Sequence, residues 1–198
     1  MPRVSENHLT ARREQILEAA RVCFLRNGLH NTSMQDLIRE ADLSVGAIYR
    51  YFKSKNEIIG AIAESVAGNL IAYLEELALH EPRLPIREAM SLILDAVDAQ
   101  VAPGGNFPLG LQVWAEATRD PAIAAIVRDR YDAMRSRFAL IARRAVDAGE
   151  LAPDTDAEAV GAVLFGMLPG FALQRLLVGY PDKETYLRGV QDLVNRPR

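Results

Sequence analysis

The feature that most constrains the fold of this chain is the stretch from Thr32 to Lys55, which reads TSMQDLIREADLSVGAIYRYFKSK. Its spacing predicts two short helices joined by a tight turn at Asp42. The hydroxyl groups of Ser33 and Ser44 can cap the free amides at the starts of the two helices. The second helix ends in aromatic and basic residues. We therefore predict a helix-turn-helix.

The second of these helices carries side chains suited to reading DNA. In a helix-turn-helix, this helix lies in the major groove, with its first residues facing base edges and its end meeting phosphates. Val45 can contact a thymine methyl group, and Arg50 can bond guanine or a phosphate. Ser44 presents the free amides of a helix N-terminus, which favour a phosphate. Tyr49 and Tyr51 can donate to phosphate oxygens, so all five residues are candidate DNA contacts.

Lys55 places a cation where the protein itself does not favour one. It lies in the first turn of the next helix, where the helix dipole disfavours positive charge, so we interpret it as the partner of an outside anion. The alternative is a helical hairpin whose aromatic residues are core. That alternative fits Ile48 and Phe52, stays open for Tyr51, and does not explain Arg50 and Lys55 together.

The distribution of charge favours the same interpretation. The chain has 23 basic and 26 acidic residues, a net charge of −3. Residues 1–55 contain nine Arg or Lys and six Asp or Glu, a balance of +3, and residues 56–198 carry −6. A basic end on an acidic body suits a module that places one end on a polyanion. Chance clustering is the simpler alternative.

The rest of the chain has helical periodicity and no alternating strand pattern. We predict an all-α protein of about nine helices, with an N-terminal three-helix head and a larger C-terminal helical bundle. The division into residues 1–55 and 56–198 falls at a long fourth helix, so we expect a rigid helical connection. The predicted helices start at or near Thr10, Thr32 or Ser33, Ser44, Ser54, Pro85, Pro108, Asp120, Thr155 and just after Asp182.

The sequence does not have the pattern of a membrane protein or of a secreted protein. No apolar run approaches the roughly 18 uncharged residues that a membrane helix needs, and the N-terminus lacks the apolar core of a signal peptide. We therefore expect no membrane association and a cytoplasmic location. Cys23 is the only cysteine, which excludes an intramolecular disulfide. Its place on an apolar helical stripe indicates a core residue.

The sequence shows no recognisable catalytic motif. His8, His30 and His80 do not pair with a nucleophile in a recognisable motif. Gly104-Gly105 lacks the Lys-Ser/Thr partner of a phosphate-binding loop. We expect no catalytic residue, no metal site and no cofactor.

The first quarter of the chain carries a recurring family pattern. Its positions are Ile16-Leu17-Ala19-Ala20, Phe24, Gly28, Thr32-Ser33, Leu37-Ile38, Ala41, Leu43-Ser44, Gly46, Ile48-Tyr49-Arg50-Tyr51-Phe52 and Ser54-Lys55. With these residues the chain resembles the tetracycline-repressor (TetR) family of bacterial regulators. The resemblance implies a homodimer that binds a near-palindromic operator in double-stranded DNA and releases it when a small molecule enters its larger domain, residues 56–198.

The resemblance also implies which residues contact the operator. Asp42 stands where the family usually has glycine, and Ala47 stands where a Ser or Thr hydroxyl is common. Tyr51 replaces a frequent histidine. The implied DNA contacts are Thr32, Ser33, Gln35, Ser44, Val45, Gly46, Ala47, Tyr49, Arg50, Tyr51 and Lys55.

The eighth predicted helix is apolar on nearly every side. A helix of this kind must be covered on every side, and Gly161, Gly166 and Gly170 allow close approach. We therefore predict a homodimer through helices eight and nine, as the resemblance also implies. Burial within one chain is the alternative.

The middle helices are rich in methionine and aromatic residues, which suit an adaptable apolar pocket. Each of these residues alone is more simply read as core, and a ligand pocket follows from the resemblance. Gln112 and Gln174 offer polar contacts nearby. The predicted ligand-binding residues are Met90, Leu94, Phe107, Leu111, Trp114, Tyr131, Met134, Phe138, Phe165, Phe171 and Gln174.

These observations predict a sequence-specific transcriptional regulator, a repressor released from its operator by a small, largely apolar ligand. We expect ligand bound between helices four and eight to shift helix four, which carries the head. The alternatives are an all-α small-molecule binding protein that does not bind DNA, and an α-helical enzyme.

Overall fold

The computed structural model describes residues 6–194. Within this range the regular structure consists of nine helices and no strand, which confirms the predicted all-α fold. The helices are α1 (Glu6–Asn27), α2 (Met34–Glu40), α3 (Val45–Tyr51), α4 (Lys55–Leu79), α5 (Ile86–Val101), α6 (Phe107–Ala117), α7 (Pro121–Asp147), α8 (Ala157–Val178) and α9 (Lys183–Val194).

Side-chain caps determine where the two short helices begin. The Ser33 hydroxyl accepts from the Asp36 amide at 3.2 Å, and the Asp36 carboxylate accepts from the Ser33 amide at 2.9 Å. This reciprocal capping box satisfies two free amides, and the hydrogen bonds from Ser33 lower the pKa of Asp36. The Ser44 hydroxyl accepts from the Ala47 amide at 3.3 Å. Both caps agree with the sequence prediction.

One predicted start is wrong. Helix α1 begins at Glu6 rather than at Thr10, because no glycine or proline interrupts the helix between these residues. The long α4 begins at Lys55, after the Ser54 hydroxyl, which accepts from the Glu57 amide at 3.3 Å.

The turn between α2 and α3 contains a backbone conformation that side chains rarely adopt. Asp42 has a φ of 50°, and it is the one non-glycine residue with positive φ among the described residues. Asp tolerates this left-handed region better than most residues because its short polar side chain can bond locally. The Leu43 amide then donates to the Ile38 carbonyl at 3.3 Å and closes the turn.

Packing divides the chain into two compact units. The first contains the described residues up to Ala67 together with Pro108–Arg128. The second contains Gly68–Phe107 together with the described residues from Asp129 onward. The functional division at residue 55 remains a prediction. The packing adds nearly all of α6 to the head, which the sequence reasoning did not foresee.

The core of the first unit is built from side chains of six helices. Ile16 on α1, Leu37 on α2 and Ile48 on α3 are fully buried. They belong to one cluster with residues of α4, α6 and the start of α7. Cys23 is a fully buried member, as predicted, and burial raises the pKa of its thiol. The three N-terminal helices therefore depend on α6 for part of their core.

The second unit has its own core, in which α7 and α8 approach closely. Phe138 on α7 and Phe171 on α8 are fully buried there. A Cβ placed on Gly161 would lie 2.5 Å from the Ala139 nitrogen and 2.7 Å from its Cα. The glycine therefore allows α8 to pack directly on the backbone of α7.

Two helices are long and apolar enough to cross a membrane by length and composition alone. They are α4 and α8, with mean hydropathies of 1.3 and 1.5 over an 18-residue window. The expectation that no apolar run approaches about 18 uncharged residues is wrong for α8, whose residues 159–174 carry no charge, but it holds for α4, which Glu64 and Glu75 interrupt. A core helix of a soluble protein passes the same test, so these properties alone do not assign a membrane span.

The close approach at Gly161 is tested by adding one methyl group. Gly161→Ala is expected to lower the free energy of unfolding by about 1–3 kcal/mol, because the added Cβ overlaps the α7 backbone. Gly68→Ala is the matched control: it lies inside α4 with no atom within 4 Å of an added Cβ. It should be neutral or stabilising by up to about 1 kcal/mol. Urea denaturation measures both, and a Gly161→Ala protein as stable as the wild type would contradict this packing.

The strained turn generates a second prediction. Asp42→Ala should lower the free energy of unfolding by about 1 kcal/mol, because alanine lacks the side chain that makes positive φ tolerable. Asp42→Gly should match or exceed the wild type, since glycine adopts this region without a Cβ clash. The midpoints of urea unfolding check both variants. An alanine variant as stable as the glycine variant would show that the turn is not strained.

Candidate DNA-binding site

The position of α3 depends on the burial of one of its faces. A helix of seven residues is not stable alone. Ile48 is fully buried, and Phe52, which follows the last turn, is 4% exposed; both belong to the first core. The Phe52 amide donates to the Ile48 carbonyl at 3.0 Å and ends the helix. With this face fixed inward, the opposite face must point to solvent.

The outward face of α3 presents the predicted reading residues. Val45 is 58% exposed and Tyr49 is 39% exposed. Arg50 is exposed and makes no hydrogen bond or ion pair with any residue that the structure describes. Gly46 is exposed, and a Cβ there would meet nothing within 4 Å. The outward face of α3 therefore presents an apolar side chain, a phenol and a guanidinium, and Gly46 leaves the backbone between them uncovered.

The surrounding predicted contacts are exposed to different degrees. Ser33 and Gln35 at the start of α2, and Ser44 at the start of α3, are exposed. Ala47 and Tyr51 are half-buried. Tyr51 packs against the first core, so the ring contributes to the core while part of the residue remains accessible.

The side chain of Thr32 is not available to DNA. Thr32 is 1% exposed, and its hydroxyl donates to the Gly28 carbonyl at 2.8 Å. This corrects the prediction for its side chain, because a hydroxyl buried against a carbonyl cannot reach a phosphate. Ser33, the actual cap of α2, is the exposed hydroxyl at this position.

Lys55 has partners inside the chain. Its ammonium group donates to the Leu29 carbonyl at 2.7 Å and to the Thr32 carbonyl at 3.1 Å. An ammonium has three donors, so one remains. The carbonyl oxygens, rather than an outside anion, are sufficient to explain a cation in the first turn of α4.

Sequence reasoning missed a basic residue beside the end of α3. The guanidinium of Arg13 on α1 lies over the Phe52 ring, 5.3 Å from its centroid, a favourable cation–π arrangement. Its side chain is 44% exposed. The contact joins residues far apart in sequence, and no local pattern signals it.

The predicted ligand-binding residues are divided between the two compact units. Leu111 and Trp114 belong to the first compact unit. In the second unit, the Tyr131 and Phe165 rings meet edge-on with centroids 4.9 Å apart. Burial raises the pKa of Tyr131. The predicted residues within or packed against the second core are Met90, Leu94, Phe107, Tyr131, Met134, Phe138, Phe165 and Phe171.

The two predicted polar contacts of the pocket have other partners. Gln174 is exposed on α8, and its amide donates to the Gly170 carbonyl at 3.1 Å. It does not face the second core, because that core is on the opposite side of α8. The Gln112 carbonyl oxygen accepts from the Leu29 amide at 2.8 Å, within the first unit.

The second unit has a surface cavity that is lined by other residues than the predicted ligand-binding ones. It has a volume of about 390 Å³ and contains none of the predicted ligand-binding residues. Its charged lining does not match a largely apolar ligand. The residues that line it are Pro85, Arg87, Glu88, Ser91, Glu184 and Leu187.

The described histidines have no catalytic arrangement. His30 is exposed and lies 3.3 Å from a Glu116 oxygen. The His80 ring lies 2.9 Å from the Pro82 carbonyl oxygen. The side chain of His8 lies outside the described residues. Among those described, no three His, Cys, Asp or Glu residues are grouped to hold a metal ion.

An N-terminal and a C-terminal segment of this chain each match a known protein family. Residues 16–62 match the model described as bacterial regulatory proteins, tetR family, and residues 85–196 match the model described as BetI-type transcriptional repressor, C-terminal. The HTH-type transcriptional repressor Rv1474c of Mycobacterium tuberculosis is 30% identical, over 98% of this chain and 96% of its own.

Solved structures show the same fold. Salmonella enterica GusR has a TM-score of 0.79 and 23% identity, covering 98% of both chains. The complex of Stenotrophomonas maltophilia SmeT with triclosan has a TM-score of 0.76 and 20% identity, covering 93% of this chain and 91% of its own. Together, the two family matches and the relative at 30% identity show that the chain belongs to the TetR family of helix-turn-helix transcriptional regulators.

Proposed function

We propose that the protein is a homodimeric repressor. It reads a near-palindromic operator with α3 and releases it when a small, largely apolar molecule enters the second unit. The observation that carries the proposal is the outward face of α3, where Val45, Tyr49 and Arg50 are exposed. These groups can contact base edges and phosphates without breaking any bond inside the chain.

The proposed DNA contacts are of two kinds, contacts to base edges and contacts to phosphates. Val45 and Gly46 allow the start of α3 to approach base edges closely, and Arg50 can bond guanine or a phosphate. Ser33 and Ser44 stand at helix starts, where free amides favour phosphate. The Ser33 hydroxyl donates to the Asp36 carboxylate at 2.6 Å, so the backbone amides after Ser33 would make the contact there. The remaining proposed contacts are Gln35, Ala47, Tyr49, Tyr51 and the third donor of Lys55.

A second copy of the chain is the proposed cover for α8. The outer face of this helix leaves Val163 66% exposed, Leu177 73% exposed and Val178 72% exposed. On α9, Leu193 is 76% exposed. Exposed apolar side chains on both helices mark a surface that a partner would cover, and a two-fold dimer would bury the same face of both copies. Two heads would then be available for the two halves of an operator.

The second core is the proposed location of the effector. Its methionine and aromatic side chains suit a largely apolar molecule, and a structure of this fold has been solved with triclosan. Helix α4 runs through both compact units, since the division falls between Ala67 and Gly68. Ligand that binds the released state better than the DNA-bound state would shift the equilibrium by that difference in affinity.

The cytoplasm is the proposed location, because the relatives are bacterial regulators that act on DNA. The second candidate function is a helical binding protein whose head does not bind DNA. It is distinguished by gel shift with the promoter next to the protein's own gene. Specific retardation supports the repressor, and its absence supports the alternative.

Arg50 generates the first test of the DNA-binding face. Arg50→Ala should weaken operator binding at least tenfold and change the slope of log affinity against log salt by about one if the contact is to phosphate. If Arg50 instead reads guanine, the preference at one base pair should relax. Arg128→Ala removes the same charge from an exposed position on α7 and should leave affinity unchanged. Fluorescence anisotropy measures both; unchanged affinity in Arg50→Ala would remove it from the interface.

The dimer is tested by placing a charge on the outer face of α8. Leu177→Arg should convert the dimer to a monomer, because the introduced charge would be buried without a partner. Leu79→Arg is the matched control, since Leu79 is 56% exposed at the end of α4. Sedimentation at micromolar concentration gives the mass of each variant. A dimeric Leu177→Arg protein would contradict the proposed interface.

A further inference from the structure

The loop between α1 and α2 is held by side chains from two other helices. The Leu29 amide donates to the Gln112 carbonyl oxygen on α6 at 2.8 Å. The Leu29 carbonyl accepts from the Lys55 ammonium on α4 at 2.7 Å. Both backbone polar groups of one residue are therefore satisfied by distant side chains. We name these three residues the Leu29 latch.

The latch satisfies the backbone polar groups of a buried loop residue. Leu29 is 4% exposed, so an unpaired amide there would be costly. Gly28 has a φ of 82°, and a Cβ on it would lie 3.7 Å from the Gln112 carbonyl oxygen. The Thr32 carbonyl also accepts from Lys55. The chain then passes directly into Ser33, the cap of α2, so the latch holds the loop that leads into the helix-turn-helix.

Other contacts of α6 and the start of α7 support the same role. The Gln112 amide donates to the Phe24 carbonyl at 3.4 Å near the end of α1. The Asn56 amide on α4 donates to the Asp120 carboxylate at 2.5 Å. All of these residues belong to the first compact unit. Helix α6 therefore bonds to the segment before the helix-turn-helix, and Asp120, just before α7, bonds to the segment after it.

We propose that Gln112 is a positioning residue for operator binding. It does not touch DNA; it holds Leu29, and through Leu29 it fixes the start of α2 and the presentation of α3. This proposal rests on the proposed function, because its effect is measured as operator binding.

The test removes the acceptor without changing the shape of the side chain. Gln112→Met has a similar length, but its thioether sulfur is only a weak acceptor for the Leu29 amide. Gln112→Glu keeps an acceptor oxygen. Both variants lose the donor to the Phe24 carbonyl, so the difference between them isolates the bond to Leu29. The DNA probe is the duplex that the wild-type protein selects most strongly from a random library. Gln100→Met is the matched control, because the Gln100 carbonyl oxygen accepts from the Asn106 amide in the second unit.

Positioning predicts a specific set of results. Gln112→Met should weaken operator binding about tenfold at a temperature where circular dichroism shows full helicity, and Gln112→Glu should recover most of the loss. The salt slope should not change, because no phosphate contact is removed. Hydrogen exchange of the Leu29 amide should accelerate in Gln112→Met and stay slow in Gln112→Glu. Gln100→Met should bind as the wild type does.

Several outcomes overturn the inference. If Gln112→Met binds the operator as tightly as wild type while its Leu29 amide exchanges faster, the latch contributes only to stability. If Gln112→Met does not fold, Gln112→Asn tests the same bond, because its side chain is one methylene too short to hold the acceptor at the Leu29 amide. Weaker binding with an unchanged salt slope supports the latch, and wild-type binding with faster exchange of that amide overturns it. A wild-type protein that selects no duplex overturns the proposed function itself.

Discussion

The burial of Ile48 and Phe52 is the constraint on which the rest of this structure depends. Helix α3 has seven residues and too few internal hydrogen bonds to be stable alone. Its orientation comes from one fully buried side chain and from the residue that ends it. Because the inward face is fixed, Val45, Tyr49 and Arg50 project together into solvent. The core that fixes them contains residues of α1, α2, α4 and α6, so the reading face depends on helices remote in sequence.

This dependence connects operator binding to the rest of the chain. A regulator must transmit a change in one place to the position of α3 in another, and a ligand can supply only the difference of its affinities for the two states. Helix α4 contributes to both compact units, and α6 packs with the head. Movement of either helix would disturb the contacts at Leu29. If two copies of the chain cover the apolar outer face of α8 against each other, the dimer presents two copies of α3.

Much of the head could be predicted from sequence because its signals are local. The caps Ser33 and Ser44, the turn at Asp42 and the buried face of α3 all follow from residues within four positions of each other. The partners of Lys55 and the burial of Thr32 could not be predicted, since both depend on a loop whose course is set by tertiary packing. The outward position of Gln174 was missed because α8 is apolar on both sides, so its inner face cannot be identified from periodicity. The association of α6 with the head joins residues more than 80 positions apart.

The most direct measurement is selection of duplexes from a random DNA library by the full-length protein, followed by footprinting of the enriched sequence. Two reading helices in one dimer should enrich a near-palindromic site whose half-sites lie about 34–36 Å apart, or a multiple of one helical turn, on the same face of the duplex. Protection should appear in successive major grooves. Failure to enrich any sequence, or protection of a single half-site by a dimer, would contradict the account.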